Sequence, residues 1–311
     1  MTRVSVIIPT YNREDLLAET IRSVLSQTVQ ELEVIVADDG STDGTAALVR
    51  QFGDSVRYVH QPNANHEGAT RNLGIRASAG EYIACLDSDD LWEPAKLERQ
   101  LALLDAHPTY GMVYSDAYAF ESESRKRRYR FHQLVTPGSG WIAHSLYMHD
   151  YIPCPTPLIR RSVLEGVGLF SERPGLRMRS DWEMWLRIAA RFQVGYDPEP
   201  LAGYRLHGLN SSSGEDHWTT HHSCLQVVQE ALRSAPEVYA SAFPQALAAR
   251  YSHTASAFLL DGNVAVARAL YAQAMRHNPR DARRAAFFAA TLVAGPASVV
   301  LARAYVRRAE G

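Results

Sequence analysis

Tyr82-Ile83-Ala84-Cys85-Leu86-Asp87-Ser88-Asp89-Asp90 is an apolar run that empties directly into three carboxylates. Five consecutive apolar residues bounded by polar ones read as a strand buried on both faces, the kind found in parallel sheets. Asp87, Asp89 and Asp90 at its end would repel one another if left alone. A hard divalent cation with oxygen ligands relieves that repulsion. Mg²⁺ or Mn²⁺ held by one or two carboxylates keeps positions open for substrate phosphates. The stretch therefore points to chemistry on a phosphate-bearing substrate.

The residues before it set the frame for this strand. Val4-Ser5-Val6-Ile7-Ile8 is a β-branched run, broken by Pro9-Thr10-Tyr11-Asn12, and helical spacing follows at Leu16, Leu17, Ile21, Val24 and Leu25. Val34-Ile35-Val36 is a second strand running into Ala37-Asp38-Asp39-Gly40, with Ser41 and Thr42 as N-caps of a helix from about Asp43 to Phe52. Val56 to Val59 is a third strand, Gly68 to Ala77 a helix, and Tyr82 to Leu86 the fourth strand. Strand and helix alternating at this spacing predict an α/β fold with a doubly wound, mostly parallel sheet. Ligands of such sheets bind beyond the carboxyl ends of the strands. The polar groups after strands one, two and four all fall at that edge.

Further along, Gly111 to Phe120 reads as a strand, Arg160 to Leu169 as a short helix, Asp181 to Phe192 as a helix with Trp182, Trp185 and Ile188 inward, and Val194 to Arg205 as a strand. Residues 131–160 are rich in loop residues. After about residue 215 the chain turns Ala-rich and helical, which divides it into a domain over 1–214 and a C-terminal α-helical region over 215–311. With 46% hydrophobic and 21% charged residues the 311-residue chain has an ordinary globular composition. Its net charge of -2 argues against general nucleic-acid binding. Cys85, Cys154 and Cys224 are far apart and odd in number, which fits free thiols in a reducing, cytoplasmic compartment. A strand directly at the start of the sequence argues against a signal peptide.

Val4 to Arg13, Val34 to Thr45, Gly68 to Gly80 with Arg71-Asn72, Asp87-Ser88-Asp89-Asp90 and Asp181-Trp182-Glu183 form an ordered set. Together, over about residues 3–213, they resemble the inverting, nucleotide-sugar-dependent glycosyltransferases of family 2, whose fold is GT-A. The resemblance implies a nucleoside-diphosphate sugar donor, a glycan or lipid-linked acceptor and a divalent cation, Mn²⁺ or Mg²⁺. It implies a nucleotide pocket walled by Pro9, Thr10 and Tyr11, where a Tyr ring stacks on a base. Asp39 would accept from the base N–H. Both Asp38 and Asp39 also suit an Asx-type turn before Gly40. Arg71 would pair with a diphosphate or carboxylate through its planar fork, or make a surface salt bridge. Asp87 and Ser88 are implied donor contacts, and Asp90 is either a support behind them or an additional donor contact. Asp89 is the implied metal ligand, with His207 as a diphosphate or metal contact and Asn210 to Ser213 as a closing loop.

Asp181 is the implied general base. Relatives often carry Glu at the position of Ser180, so this chain keeps a single certain carboxylate there. The residues alone allow another reading, a capping box with Ser180 at the N-cap and Glu183 three residues on. The long-chain synthases of the family carry a Q-x-x-R-W motif and several membrane spans. Their absence from this sequence favours transfer of a single sugar, of the kind used in polysaccharide biosynthesis. Nucleotidyl transfer is the rival chemistry, although Pro9-Thr10-Tyr11-Asn12 lacks the Gly-rich basic loop it needs. A non-catalytic nucleotide-sugar-binding scaffold is the rival of another class.

Three features stand outside that set. Arg125-Lys126-Arg127-Arg128 with Arg130 could meet anionic lipid or a lipid-linked acceptor, or form a solvated hairpin. His217 and His221 share a helix face without a third ligand nearby. Tyr251, Ala255, Phe258, Ala267, Tyr271, Ala274 and Pro279 have the spacing of one tetratricopeptide-like hairpin. The uncharged segment Ala285 to Ala302 reaches the length of a membrane span, but Gly295-Pro296 interrupts it, so short packed helices or a peripheral membrane contact fit better.

Overall fold

A computed structural model describes residues 2–133, 136–208, 216–293 and 299. In chain order the first unit runs β1 (Val4–Thr10), α1 (Leu17–Leu25), β2 (Leu32–Asp38), α2 (Thr45–Arg50), β3 (Arg57–His60), α3 (Glu67–Ala77), β4 (Tyr82–Cys85), β5 (Leu91–Trp92), α4 (Lys96–Ala106), β6 (Tyr110–Glu121) and β7 (Arg127–Arg130). It continues, after α5 (Ala143–Met148), with β8 (Leu158–Arg160), α6 (Arg161–Val167), α7 (Ser180–Ala189) and β9 (Gln193–Leu206). The strands form one sheet in the order β3-β2-β1-β4-β8-β6-β9-β5, with β7 on the side of β6. β3, β2, β1 and β4 are mutually parallel, as are β6 and β9. β8 runs antiparallel between β4 and β6, and β5 runs antiparallel to β9. The sheet is therefore mixed beyond its parallel N-terminal half.

Alternation along the strands decides which helix covers which face. Val4, Val6 and Ile8 of β1, with Val34 and Val36 of β2, pack into one core with Leu17, Ile21 and Val24 of α1 and Leu97, Leu101 and Leu104 of α4. Each such fully buried side chain is worth roughly 1.5–3 kcal/mol. Helix propensities differ by at most about 0.7 kcal/mol per ordinary residue, so packing of this stripe holds the nine-residue α1 in place. On the opposite face α3 lies tight against β1. A Cβ on Gly74 would stand 2.4 Å from Ile7 Cγ2 and 3.4 Å from Ala37 Cβ.

Several local expectations change. β1 continues through Pro9 to Thr10, because β2 stays paired with it there, Pro9 beside Ala37 and Thr10 beside Asp38, and the strand is buried throughout. Ser41 and Thr42 do not cap α2, which begins at Thr45 after Gly44. Ser41 is instead held by Asp38, and Asp43 Oδ1 accepts the Thr45 N–H at 3.0 Å. No capping box opens α7: Arg179 is the N-cap, Ser180 is already helical, and Glu183 pairs with Arg187 at 2.7 Å. The helix α4 and the short β5 have no counterpart in the sequence reading.

The second unit comprises residues 144–150 and 211–311. It holds α8 (His217–Ser234), α9 (Pro236–Tyr239), α10 (Phe243–Leu260), α11 (Val264–His277) and α12 (Ala282–Val293). α10 and α11 form the expected hairpin around Ala255, Leu259, Ala267, Leu270 and Tyr271. Gly262, at φ +87°, makes the left-handed turn between them, and Asn263 caps α11 through the Val266 N–H. Tyr271 stacks on Phe287 of α12. Among the described residues no helix is long and apolar enough to cross a membrane. The remainder of the uncharged segment, 294–298 and 300–302, lies outside the described residues.

Candidate active site

The carboxyl ends of β1, β2 and β4 share one edge of the sheet, and β9 reaches that edge from 116 residues away through Arg205 and Asp89. After β1 the chain turns at Asn12, at φ +49°, a left-handed position that Asn tolerates better than most residues. Asn12 Oδ1 accepts the Thr42 N–H at 2.8 Å and its own N–H donates to Ser41 Oγ at 2.9 Å, so the first two strand-end loops brace each other. Pro9 and Thr10 are buried, whereas the Tyr11 ring is 46% exposed at the rim.

Asp38 and Asp39 divide the labour between them. Asp38 Oδ1 accepts from the Ser41 N–H at 2.8 Å and the Ser41 hydroxyl at 2.7 Å, an Asx-type turn, while its Oδ2 accepts from Tyr58. Burial and this carboxylate push the Tyr58 phenol upward. Asp39 Oδ1 accepts from Gln61 Nε2 at 2.7 Å and Ala64 N–H at 3.0 Å, and Oδ2 from Asn65 N–H at 3.1 Å. Asp39 thus closes the loop before α3, and Oδ2 has lone-pair capacity for another donor.

On α3 the Arg71 guanidinium is buried, lies over the Phe170 ring and donates to Asp87 Oδ1 at 2.8 Å. It is not a surface salt bridge. Burial raises the Asp87 carboxyl; Arg71 opposes the rise, and Asp89 and Asp181 add to it. Asp181, in the first turn of α7, adds its charge to the same acidic corner as Arg71 and Asp87. Asp181 Oδ1 accepts the N–H of its neighbour Trp182 at 2.8 Å. Glu67, one turn before Arg71, pairs with Arg177 at 3.5 Å, and burial raises its carboxyl as well.

Asp89 and His207, 118 residues apart in sequence, come together with Oδ2 and Nε2 separated by 3.0 Å. Arg13 Nε lies 3.8 Å from the same oxygen. Asp90 faces inward, which fits the supporting role rather than a direct donor contact: Oδ1 accepts the Arg205 N–H at 2.9 Å, and the carboxyl is raised by burial and by Asp89 and Asp87. Ser88 is buried between them. No group of three His, Cys, Asp or Glu side chains suited to a metal occurs among the described residues. One carboxylate with one imidazole still fits Mn²⁺ or Mg²⁺, since such ions take only one or two protein ligands when substrate phosphates complete the shell. The imidazole favours Mn²⁺ of the two.

The model of the family "Glycosyl transferase family 2" matches residues 5–168, just over half of the chain. The chain belongs to this family.

Among family 2 relatives, an uncharacterised glycosyltransferase of Rickettsia typhi is 30% identical over 68% of this chain and 66% of its own length. A Bacillus subtilis protein, TuaG, named for teichuronic acid biosynthesis, is 33% identical over 69% of this chain and 82% of its own. The chain spans less than two thirds of several of these relatives, 33% in one from Rickettsia felis. Its fold is that of Staphylococcus aureus TarS 1–349, solved with UDP-GlcNAc, at TM-score 0.68, 17% identity and coverage of 98% of this chain and 92% of that one. The mannosyltransferase PcManGT of Pyrobaculum calidifontis, solved with GDP-Man and Mn²⁺, gives TM-score 0.59 and 21% identity over 97% and 86% of the two chains.

Arg13, Glu19, Glu67 and Arg205 belong to this corner of the family 2 fold and were not singled out in the sequence. Arg13 follows the Tyr11-Asn12 turn and could have been found from that position. The rest carry no local signal. The basic run forms the β6–β7 hairpin, with Arg125 on Glu19, Arg127 on Glu93, Arg128 on Glu121 and Arg130 on Asp116. Each of these arginines thus has a carboxylate partner while its side chain stays about half exposed. His217 pairs with Asp261 and His221 with Thr254, so the two share no ligand. Residues 210–213 lie outside the described residues.

Proposed function

We propose that this chain is an inverting glycosyltransferase that moves a single sugar from a nucleoside-diphosphate sugar to an acceptor hydroxyl. The observation that carries the reading is the meeting of Asp89 and His207 at 3.0 Å, beside Arg13, at the carboxyl edge of the sheet. Family membership supports transfer of a sugar, and the nucleotide sugars bound by TarS and PcManGT support the donor class. The name of TuaG supports a polysaccharide acceptor.

Tyr11, half exposed beside buried Pro9 and Thr10, offers a face for the base, with Asp39 Oδ2 as an acceptor for a base N–H. Arg71 fixes Asp87 for the donor, and Ser88 lines the turn between Asp87 and Asp89. Asp89 and His207 hold the cation, whose chemistry when bound is neutralisation of charge on the departing diphosphate. Asp181 takes the proton from the acceptor hydroxyl as that oxygen attacks the anomeric carbon. The bond from that carbon to the diphosphate oxygen breaks, and attack from the opposite side inverts the anomeric centre.

A panel of nucleotide sugars with Mn²⁺ tests the donor class by thermal shift, since a ligand of the folded state stabilises by mass action. The best binder is then incubated with and without EDTA. Expected products are the nucleoside diphosphate and a sugar of inverted anomeric configuration by NMR, both lost with EDTA. Formation of nucleoside triphosphate and sugar 1-phosphate when pyrophosphate is added would establish nucleotidyl transfer instead, and no stabilisation by any nucleotide sugar would refute the donor assignment.

A further inference from the structure

The end of β9 is built around one buried arginine. Arg205 is 1% exposed, a rare environment for a guanidinium unless every charge is met. Its backbone N–H donates to Asp90 Oδ1 at 2.9 Å, its Nε to the Asp89 carbonyl at 2.6 Å, and its Nη2 to Glu19 Oε2 at 2.7 Å. The guanidinium lies over the Phe120 ring, 4.9 Å from its centroid. Glu19 sits on α1, and its other oxygen accepts from Arg125 at 2.5 Å. The next residue on α1, Thr20, donates its hydroxyl to the Asp90 carbonyl at 2.9 Å. One side chain and two neighbouring helix residues thus clamp the Asp89–Asp90 segment.

His207 lies two residues beyond Arg205 and one past Leu206, the last residue of β9. Two residues of chain reach at most about 7 Å, so the anchored end of β9 limits where His207 can stand. The hold that Arg205 takes on the Asp89 carbonyl therefore fixes both partners of the 3.0 Å pair, Asp89 through its main chain and His207 through the strand. A buried ion network adds little net stability compared with apolar packing, so its place here is better explained by the geometry it imposes. We propose that Arg205, tethered by Glu19, is a positioning residue that sets the spacing of Asp89 and His207 for a divalent cation. The proposal rests on the reading of that pair as the cation site.

Lysine is the informative replacement, because its single ammonium cannot reproduce the planar fork that reaches both Asp89 and Glu19. Glu19→Gln is the second variant: Glu19 is 37% exposed and lies outside the pair it governs, so the fold should tolerate it. Full-length wild type, R205K and E19Q are crystallised without ligand, and Mn²⁺ alone is titrated into each with free Mn²⁺ read by electron paramagnetic resonance. In R205K the Asp89–His207 separation is expected to open beyond hydrogen-bond reach. Mn²⁺ affinity should fall about tenfold or more in R205K and by a smaller factor in E19Q, as expected when the groups supporting metal ligands are lost.

An unchanged 3.0 Å pair with unchanged Mn²⁺ affinity in both variants would overturn the proposal. A lowered melting temperature in E19Q with wild-type affinity well below it would reduce Arg205 to a structural prop. Should R205K not fold, the E19Q affinity decides alone. If the wild type binds no Mn²⁺, the cation reading fails, while the crystal geometry still decides whether Arg205 positions the pair.

Discussion

Replacing Asp181 by Asn separates catalysis from architecture at one atom. In the structure Asp181 Oδ1 accepts the Trp182 N–H at 2.8 Å, and the amide oxygen of Asn can keep that bond. Asp181 does not cap α7, because Arg179 occupies that position and Ser180 is already helical. The structural loss is then the interaction of a negative charge with the first helical turn, about 0.3–1 kcal/mol. For a unit of about 200 residues, 1 kcal/mol moves Tm by roughly 2–4 °C. Loss of a general base costs about 10²–10⁴ in rate, or roughly 2.7–5.4 kcal/mol of barrier at 1.36 kcal/mol per decade. The barrier change thus exceeds the stability change several-fold, and the two can be read independently. The expected result is a Tm within about 4 °C of wild type, donor affinity nearly unchanged by calorimetry, and turnover down by at least about 100-fold. Turnover within threefold of wild type would refute the assignment of the base. A Tm drop far beyond that range would show that Asp181 holds α7 in a way its contacts do not reveal.

Other perturbations probe the cation site, the sheet face and the second unit. Asp89→Ala and His207→Ala should each erase the difference between donor affinities measured with and without Mn²⁺; a difference that persists in both would place the cation elsewhere. Gly74→Ala drives a Cβ to 2.4 Å from Ile7 Cγ2 on a central strand, so about 1–3 kcal/mol of stability should be lost in urea titration. An unchanged midpoint would mean that α3 can slide off β1. Burial lowers His221 from 6.5 to about 4, with His222 adding to the effect. The unfolded chain therefore takes up this proton first as pH falls below 6.5, and stability drops between about pH 6.5 and 4. By pH 5 the loss should reach about 1–2 kcal/mol. Melting curves at pH 7 and pH 5 should show a smaller loss in His221→Gln than in wild type, and equal losses would exclude His221 as the source.

The strand-end loops were legible because each lies within a few residues of a strong signal. Asp87 to Asp90 follows a buried apolar strand, Asp38-Asp39-Gly40 follows another, and the turn at Asn12 follows a third. Two other local readings failed. Ser41 and Ser180 had the right spacing for helix caps, yet Asp38, three residues away, holds Ser41 in an Asx-type turn, and α7 starts one residue early with Arg179 at its cap. Local hydrogen-bonding options differ by only about 1 kcal/mol, so neighbouring turns compete with caps on nearly equal terms.

Sequence by itself determined the α/β alternation, the edge where polar groups gather, the pairing of α10 with α11 and the family, because these depend on periodicity and on motifs of adjacent residues. Only the tertiary structure decided that β8 and β5 enter the sheet antiparallel, that Asp90 turns inward, and that Arg205 links Glu19 to Asp89 across 186 and 116 positions. Contacts at such separations leave no periodic trace along the chain. They arise when strands with unrelated sequence neighbours are laid side by side, and the buried charges brought together there must be matched with one another.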